Sequence, residues 1–386
     1  MKNILLVFGG KSYEHDISVV TASQIFGKVK SEKFKLIPLY ISRDNKMFVY
    51  EKEKFDINDF SKAKFSGKNK KFKEVVFVSG ENNKLFARTI WGLKEYICAE
   101  VAIFACHGNA GENGKLVAIF EQMNIACSAG GVDALGICMN KFLFKQVMKG
   151  LKIPTVKGFK LTKSQFQNNE NSILELKLRF LEFPVVLKVN NGGSSIGVFV
   201  AKNKEEFDRF AVQAFEFDDI LIVERLIENA REFNVAVIGT SEKYEISEID
   251  EPLKNGELLS FADKYLTGEK QCVGAKGKLG SMEGLKTNFP AKISTELKDK
   301  MQKYAGRIFE ELGLFGVVRI DFLYDESKNK VYVCEVNAIP GSLAYYLFER
   351  GKVLINEFIE KLVKIAEKQR DISQNFNDDF VTEVLG

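Results

Sequence analysis

The stretch VRIDFLYDESKNKVYVCEVNAIPGS, residues 318–342, restricts the possible folds more than any other part of the chain. Valine, isoleucine, phenylalanine and tyrosine alternate on either side of a polar turn, Asp325 to Lys330, which is the pattern of a β-hairpin. Side chains repeat every two residues on a strand, so Arg319 and Asp321 share one face of the first strand, and Glu335 and Asn337 share one face of the second. A turn centred near Ser327–Lys328 sets Asp321 opposite Glu335 and Arg319 opposite Asn337. Two carboxylates, an amide and a guanidinium thus gather on one patch of sheet. A hard divalent cation such as Mg²⁺ takes oxygen ligands of this kind, usually one or two carboxylates completed by phosphate and water. The patch also reads as a surface salt bridge on Arg319. The glycine turn that follows, AIPGS, suits a close backbone approach to a ligand and favours the first reading.

At 386 residues the chain exceeds one compact core, so two or three lobes are expected. A net charge of +4 is close to balance at this length and argues against a dedicated nucleic-acid or membrane-surface binder. The densest lysine cluster, KAKFSGKNKKFKE (62–74), reads as a solvated loop. Six cysteines form no CxxC pair and sit mostly in apolar runs, as buried free thiols of a reducing compartment do. The N-terminal apolar run is too short for a secretory signal and no stretch reaches the length of a membrane span, so a cytoplasmic protein is expected.

Strands alternate with helices near the start. NILLVFGG, FKLIPLYIS and AEVAIFACHG read as strands, two of them ending in glycine, with a helical pattern in DISVVTASQIFGKV. This predicts a parallel α/β lobe with its crevice at the strand ends, and residues 50–95 as an elaboration on it. A helix is expected from about Asn140 to Gly150, and helices in NKEEFDRFAVQAF, ISTELKDKMQKYAGRIFEELG and NEFIEKLVKIAEKQR. The expected division is an N-terminal lobe over 1–138, a central lobe over 139–228, a C-terminal lobe over 229–370 and a polar tail over 371–386.

Three further features bear on chemistry. NNGGSSIG (190–197) lies between two strands and can expose backbone amides and hydroxyls to a phosphate, although taken alone it fits a flexible hairpin turn better. Lys188, two residues earlier in the apolar strand FPVVLKV, needs an anion, because a buried charge is costly without a partner. The only two histidines, His15 and His107, both follow N-terminal strands in polar, glycine-flanked segments, which points at least one of them toward substrate.

Taken in order, FGGKSYEHDIS, HGNAGENGKL, MNKF, FPVVLKVNNGGSSIG, VERLIENAREFNVAV, DKYL and VRIDF…CEVNAIPGS resemble the D-alanine–D-alanine ligase family of ATP-grasp enzymes over almost the whole chain. The resemblance implies an α/β fold of three lobes, with a parallel-sheet N-terminal domain and α+β ATP-grasp lobes holding ATP between them. It implies that ATP activates one D-alanine as an acyl phosphate, which the amine of a second D-alanine attacks, for peptidoglycan precursor synthesis. ATP, D-alanine and Mg²⁺ or Mn²⁺ would be the small-molecule partners, with no nucleic acid or membrane; homodimers are common in the family. Carried over, Lys141, Lys188, Ser195 and Lys264 would meet the ATP phosphates, Glu224 and Leu226 the adenine, and Glu232 the ribose. Asp321, Glu335 and Asn337 would bind the metal. Arg319 and the backbone amide of Gly341 would stabilise the oxyanion, Glu14 would anchor the first ammonium, and Tyr265 would hydrogen-bond with Ser194 and Glu14. His107, Tyr346 and Leu347 would lie near the second substrate, and a closing loop would span 257–268.

The chain departs from the family pattern at Val189, where proline is common, and at Asn113, where aspartate is usual. The segment before Lys264 lacks the customary aromatic–acidic–aromatic run, and Tyr346–Leu347 replaces a serine–leucine pair. That last change keeps a D-alanine–D-lactate or other D-alanine–D-X ligase open. A nucleotide-binding module without catalysis is a further alternative, opposed by the completeness of the polar set.

Overall fold

Ile4 to Phe8 carry no polar side chain and are wholly buried, as a parallel strand covered on both faces requires. They belong to β1 (Lys2–Gly9), which pairs in parallel with β2 (Phe34–Ile41) and, on its other side, with β7 (Val101–Phe104). The computed structural model from which this is drawn describes residues 1–61, 65–66, 69–168, 171–193, 196–253 and 287–374. Helix α1 (His15–Lys28) crosses back over β1. Beyond β2, the strands β3 (Met47–Tyr50), β4 (Phe72–Phe77), β5 (Lys84–Thr89) and β6 (Gly92–Cys98) continue the sheet in antiparallel fashion. The segment read as an elaboration therefore supplies β4, β5 and β6 of an antiparallel extension that begins with β3. Helix α2 (Lys115–Gln122), the short strand β8 (Ala126–Cys127) and α3 (Val132–Met139) complete this lobe.

Helix α4 (Lys141–Gly150) starts where expected, because the Asn140 side chain accepts from the Leu143 amide and caps it. A second sheet follows, in the antiparallel order β11-β10-β12-β9. Its strands are β9 (Gly158–Thr162), β10 (Val185–Val189), β11 (Val198–Ala201) and β12 (Ile220–Arg225), backed by α5 (Lys163–Gln167), α6 (Asn171–Leu181) and α7 (Lys204–Ala214). The third sheet is also antiparallel. It holds β13 (Arg231–Thr240), β14 (Lys243–Ile246), β17 (Gly316–Asp325) and β18 (Lys330–Asn337), while β15 (Glu251–Pro252) and β16 (Thr287–Asn288) pair as a small ladder beside it. Helices α8 (Thr295–Glu311), α9 (Tyr345–Glu349) and α10 (Ile355–Gln374) close the lobe.

Apolar side chains divide between two cores. One runs without a break through the first and third sheets and their helices; the other, built on Leu161, Leu187, Phe207 and Val223, belongs to the second sheet alone. Polar faces of the second and third sheets meet above the strand ends of the first. Among the described residues, no helix is long and apolar enough to cross a membrane.

Candidate active site

The hairpin β17–β18 forms in the register its alternation predicts. Arg319 pairs with Asn337 and Asp321 with Glu335. The alternation breaks once: a bulge falls between Asp321 and Phe322, leaving Cys334 as the extra residue on β18. On the shared face, Arg319 donates from Nε and Nη2 to the two oxygens of Asp321 at 2.7 and 2.8 Å, a two-pronged pair that fixes the guanidinium plane. Asn337 Nδ2 donates to Asp321 Oδ2 at 3.0 Å. Arg319 is 6% exposed, so this pair is screened from bulk water.

Facing the hairpin, the second sheet and α4 present lysines. Lys188 Nζ lies 2.7 Å from Glu224 Oε2, and Lys145 bonds to the other carboxylate oxygen while donating to Val156 O at 2.7 Å. Burial would raise the Glu224 carboxyl, but Lys145 and Lys188 outweigh it and hold the pKa down at about 2. Burial works against the charge on Lys188; the Cys334 sulfur, Glu224 and Glu335 more than offset this, and its pKa stands above the ordinary lysine value. The anion that Lys188 requires is thus the side chain of the neighbouring strand. Its sulfur neighbour, 3.8 Å away, is the bulged Cys334, whose thiol is pushed up to about 11, chiefly by burial. Lys145 was not foreseen. The signal was present, since it lies one helical turn after Lys141 on the same face of α4.

Lys141 bonds to the carbonyl of Gly192 and lies 3.6 Å from Glu335 Oε2, a charged contact between the two polar faces. The glycine-rich segment is tied down where it begins. Asn190 O and Oδ1 accept from the amides of Lys141 and Phe142 at 3.0 and 2.9 Å, and Asn191 donates to Asp218. Leu226 follows the end of β12 with its amide on Pro184 O, and Glu232 lies half-buried on β13, opposite Leu323. Ser194, Ser195, Lys264, Tyr265 and the segment 257–268 lie outside the described residues.

From the first lobe, Glu14 enters the same space. A Cβ added to Gly108, which has φ +67°, would fall 2.4 Å from Glu14 Oε2, and one added to Gly193 would fall 3.0 Å from it. Gly108, left-handed as well as crowded, therefore favours glycine, and Gly193 gives this carboxylate close room on its other side. Glu14, Ser12, Gly108, Val189 and Gly193 line part of a cavity of about 240 Å³. A narrower space beside it is bounded by Glu112, Lys141, Glu335 and Asn337.

The two histidines separate cleanly. His15 is fully buried, with Nδ1 at 2.7 Å from Gly10 O and Nε2 at 3.1 Å from the Tyr40 hydroxyl, so it is a core residue held low in pKa mainly by burial. His107 bridges lobes: Nε2 is 2.8 Å from Thr21 Oγ1 and Nδ1 is 2.9 Å from Ile339 O. That carbonyl immediately precedes the turn at Gly341. Ser342, Leu343 and Ala344 then adopt φ of 52°, 52° and 50°, a left-handed stretch without glycine that costs energy and persists only where contacts impose it. Ser342 supplies them, donating from its amide to Thr21 and from its hydroxyl to Gln24. Tyr346 and Leu347 follow, both buried. The Tyr346 hydroxyl lies against Arg319 with no hydrogen bond of good geometry, and burial pushes its pKa up to about 12.

This arrangement, with lysines facing a carboxylate–amide patch and a third carboxylate nearby, suits a phosphorylated anion carried with a hard cation. A family model described as "D-ala D-ala ligase N-terminus" matches residues 3–130, and one described as "D-ala D-ala ligase C-terminus" matches 147–363. The chain is 33% identical to the D-alanine–D-alanine ligase of Thermosipho africanus (strain TCF52B), covering 95% of this chain and 93% of that protein. Its fold is similar to the crystal structure of D-alanine–D-alanine ligase from Helicobacter pylori, with a TM-score of 0.72, 26% identity, and 95% and 98% of the two chains covered. The VanG D-Ala:D-Ser ligase of Enterococcus faecalis is similar too, at TM-score 0.74 and 25% identity over 95% and 99%.

Proposed function

The chain belongs to the D-alanine–D-alanine ligase family, an ATP-grasp family, and on that premise we propose how its residues divide the work. The enzyme is an ATP-dependent ligase that joins two D-alanines for peptidoglycan synthesis. A carboxylate is a poor electrophile, so the first D-alanine is converted to an acyl phosphate before the second amine attacks. Lys141 and Lys188 neutralise the phosphate tail of ATP from the second sheet's side, where catalysis of phosphoryl transfer is chiefly positioning and charge. Asp321, Glu335 and Asn337 offer the oxygens of a hard-cation site. Two carboxylates and one amide fit an ion that takes its remaining ligands from phosphate and water. Bound there, Mg²⁺ or Mn²⁺ would draw charge from the phosphoryl oxygens.

Glu14 anchors the ammonium of the first D-alanine, placing its carboxylate toward the phosphate. When the second amine attacks the acyl carbon, the oxygen that gathers charge is met by Arg319 and the amide of Gly341, and phosphate departs. Such a donor is typically worth about 3–4 kcal/mol of barrier. The pair with Asp321 holds the guanidinium still for this task. His107 acts through the turn, since it grips Ile339 O just before Gly341. Leu226 and Glu232 lie toward the purine and ribose. The Glu224 carboxylate is engaged by two lysines, so its part is to set their charge rather than to face the base. Free thiols at all five described cysteines fit a cytoplasmic enzyme.

The observation that carries this reading is the 3.6 Å approach of Lys141 to Glu335 across the cleft. It supports the reading because a cation suited to phosphate stands beside a carboxylate suited to a metal. The test is ADP release from ATP and Mg²⁺ with and without D-alanine, with the product identified by mass from a mixture of D-amino and D-hydroxy acids. D-alanyl-D-alanine is the expected main product; ADP release indifferent to D-alanine would overturn the assignment.

A further inference from the structure

We infer that Asp250 and Arg350 are positioning residues for the second-substrate end of this site, an inference that rests on the ligase reading above. Asp250 stands just before β15 and exchanges both backbone hydrogen bonds with Asn234 of β13, at 2.8 and 3.0 Å. Asn234 is in turn the register partner of Asp321. Asp250, Asn234, Asp321 and Glu335 therefore form one row across the sheet, with Asp250 roughly 10 Å from Asp321 at the usual strand spacing. Residues opposite one another in a row project to the same face.

Asp250 is only 1% exposed, and a carboxylate at that depth needs a counter-charge. Arg350 supplies it. Its Nη1 donates to Asp250 Oδ1 at 3.1 Å and to Thr287 Oγ1 at 2.9 Å, and its guanidinium lies 5.0 Å over the Phe289 ring. The Arg350 amide also closes α9 on Tyr346 O. Arg350 thus ties together three pieces of chain: its side chain holds the row containing the hairpin carboxylates and the β15–β16 ladder, and its backbone closes the helix bearing Tyr346 and Leu347.

A purely structural tie could be apolar and cheaper, since removing a buried pair in favour of packed hydrocarbon is often neutral or stabilising. This one is polar, and Arg319 lies near enough to act on its carboxylate. The second oxygen of Asp250 and the Tyr346 hydroxyl are both buried without a hydrogen-bond partner of good geometry, and both lie in the field of the Arg319 guanidinium. The pair consequently sets where Tyr346 stands relative to Arg319, which is the wall that a second D-alanine would meet. Nothing in it touches the lysines on the ATP side.

Arg350→Met, Arg350→Lys and Asp250→Asn, assayed in the full-length enzyme by D-alanine-dependent ADP release, separate a positioning role from simple support. Arg350→Met should raise the KM for the weaker D-alanine site about tenfold, as loss of a supporting contact does, and leave the KM for ATP within about twofold. Arg350→Lys should recover part of the loss, because it keeps the ion pair but not the ring contact and paired donation. Asp250→Asn should shift the D-serine to D-alanine product ratio in the direction that Arg350→Met does. A parallel rise in both KM values, or a lower kcat with both unchanged, would overturn the inference. Thermal unfolding identifies any variant that fails to fold, and the Arg350 pair, one-third exposed at its side chain, decides the matter if Asp250→Asn does. Wild-type enzyme run alongside guards the premise: if it shows no D-alanine dependence, the ligase reading fails rather than this one.

Discussion

Two polar faces close on each other across the cleft, and they are balanced in opposite senses. On the second sheet, two lysines, Lys145 and Lys188, share the single carboxylate of Glu224. On the hairpin, one arginine faces two carboxylates, Asp321 and Glu335. The first face carries a surplus positive charge in a nearly dry setting, and the second a surplus negative one. The two surpluses offset each other in part where Lys141 approaches Glu335, and charge held out of water is costly, so each face suits a ligand of the opposite sign. On the proposed reading, a phosphate tail would answer the first surplus and a divalent cation the second. The difference also predicts what each face does when broken: the lysine face should fail as structure, the hairpin face as chemistry.

The largest effect is expected at Glu224. Glu224→Gln removes the carboxylate shared by the buried Lys145 and Lys188, and breaking a buried pair in this way costs about 3–5 kcal/mol. Urea unfolding measures it directly. The pH dependence has a definite sign. The folded pKa of about 2 lies below the ordinary 4.5, so this stabilisation is complete above about pH 4.5 and is lost as pH falls toward 2. Wild type should therefore lose stability across that window more steeply than Glu224→Gln. Equal acid sensitivity in the two proteins would show that Glu224 is not the counter-charge described.

Glu335 should behave in the opposite way. Its partner Lys141 is 3.6 Å off and both side chains keep some contact with water, so Glu335→Ala should cost about 1 kcal/mol or less of stability. Turnover should nonetheless fall by about 10²–10³-fold, the scale of losing one charge-stabilising group aimed at a reacting phosphoryl. Raising Mg²⁺ or Mn²⁺ should recover part of that rate if the loss is one of metal affinity. Wild-type rates in this variant would contradict the metal-site assignment.

The hairpin face was readable from sequence, and the lysine face only in part, for a physical reason. Period-two alternation around a central turn determines which residues oppose one another, so Arg319, Asp321, Glu335 and Asn337 fall together without knowledge of the rest of the fold. The bulge at Cys334 was not readable, because one extra residue leaves no compositional trace. Lys188 plainly required an anion, yet the anion lies 36 positions later on another strand, and only the β10–β12 pairing brings the two together. His15 and His107 looked alike because each follows a strand in a glycine-flanked segment; depth of burial, which separates them, is a property of packing. The left-handed turn at Ser342–Ala344 runs against local preference and is imposed by Thr21 and Gln24 of α1, more than three hundred residues away.

Lys141 offers the finest test of the comparison, because it belongs to both faces. Its amide begins α4 on Asn190 O, its ammonium bonds to Gly192 O, and Glu335 lies opposite. If the two surpluses are there to receive a phosphate tail and its cation, Lys141→Met should weaken nucleotide binding, because it removes one cation from the positive side and leaves Glu335 less compensated. The KM for ATP should rise about tenfold, equivalent to roughly 1.4 kcal/mol, while the KM for D-alanine stays within about twofold. The helix cap and the backbone bonds to Asn190 are untouched, so stability should change by less than about 1 kcal/mol. Should the KM for ATP remain at its wild-type value while stability drops, Lys141 would belong with Lys145 as a structural counter-charge and would have no part in receiving the phosphate tail.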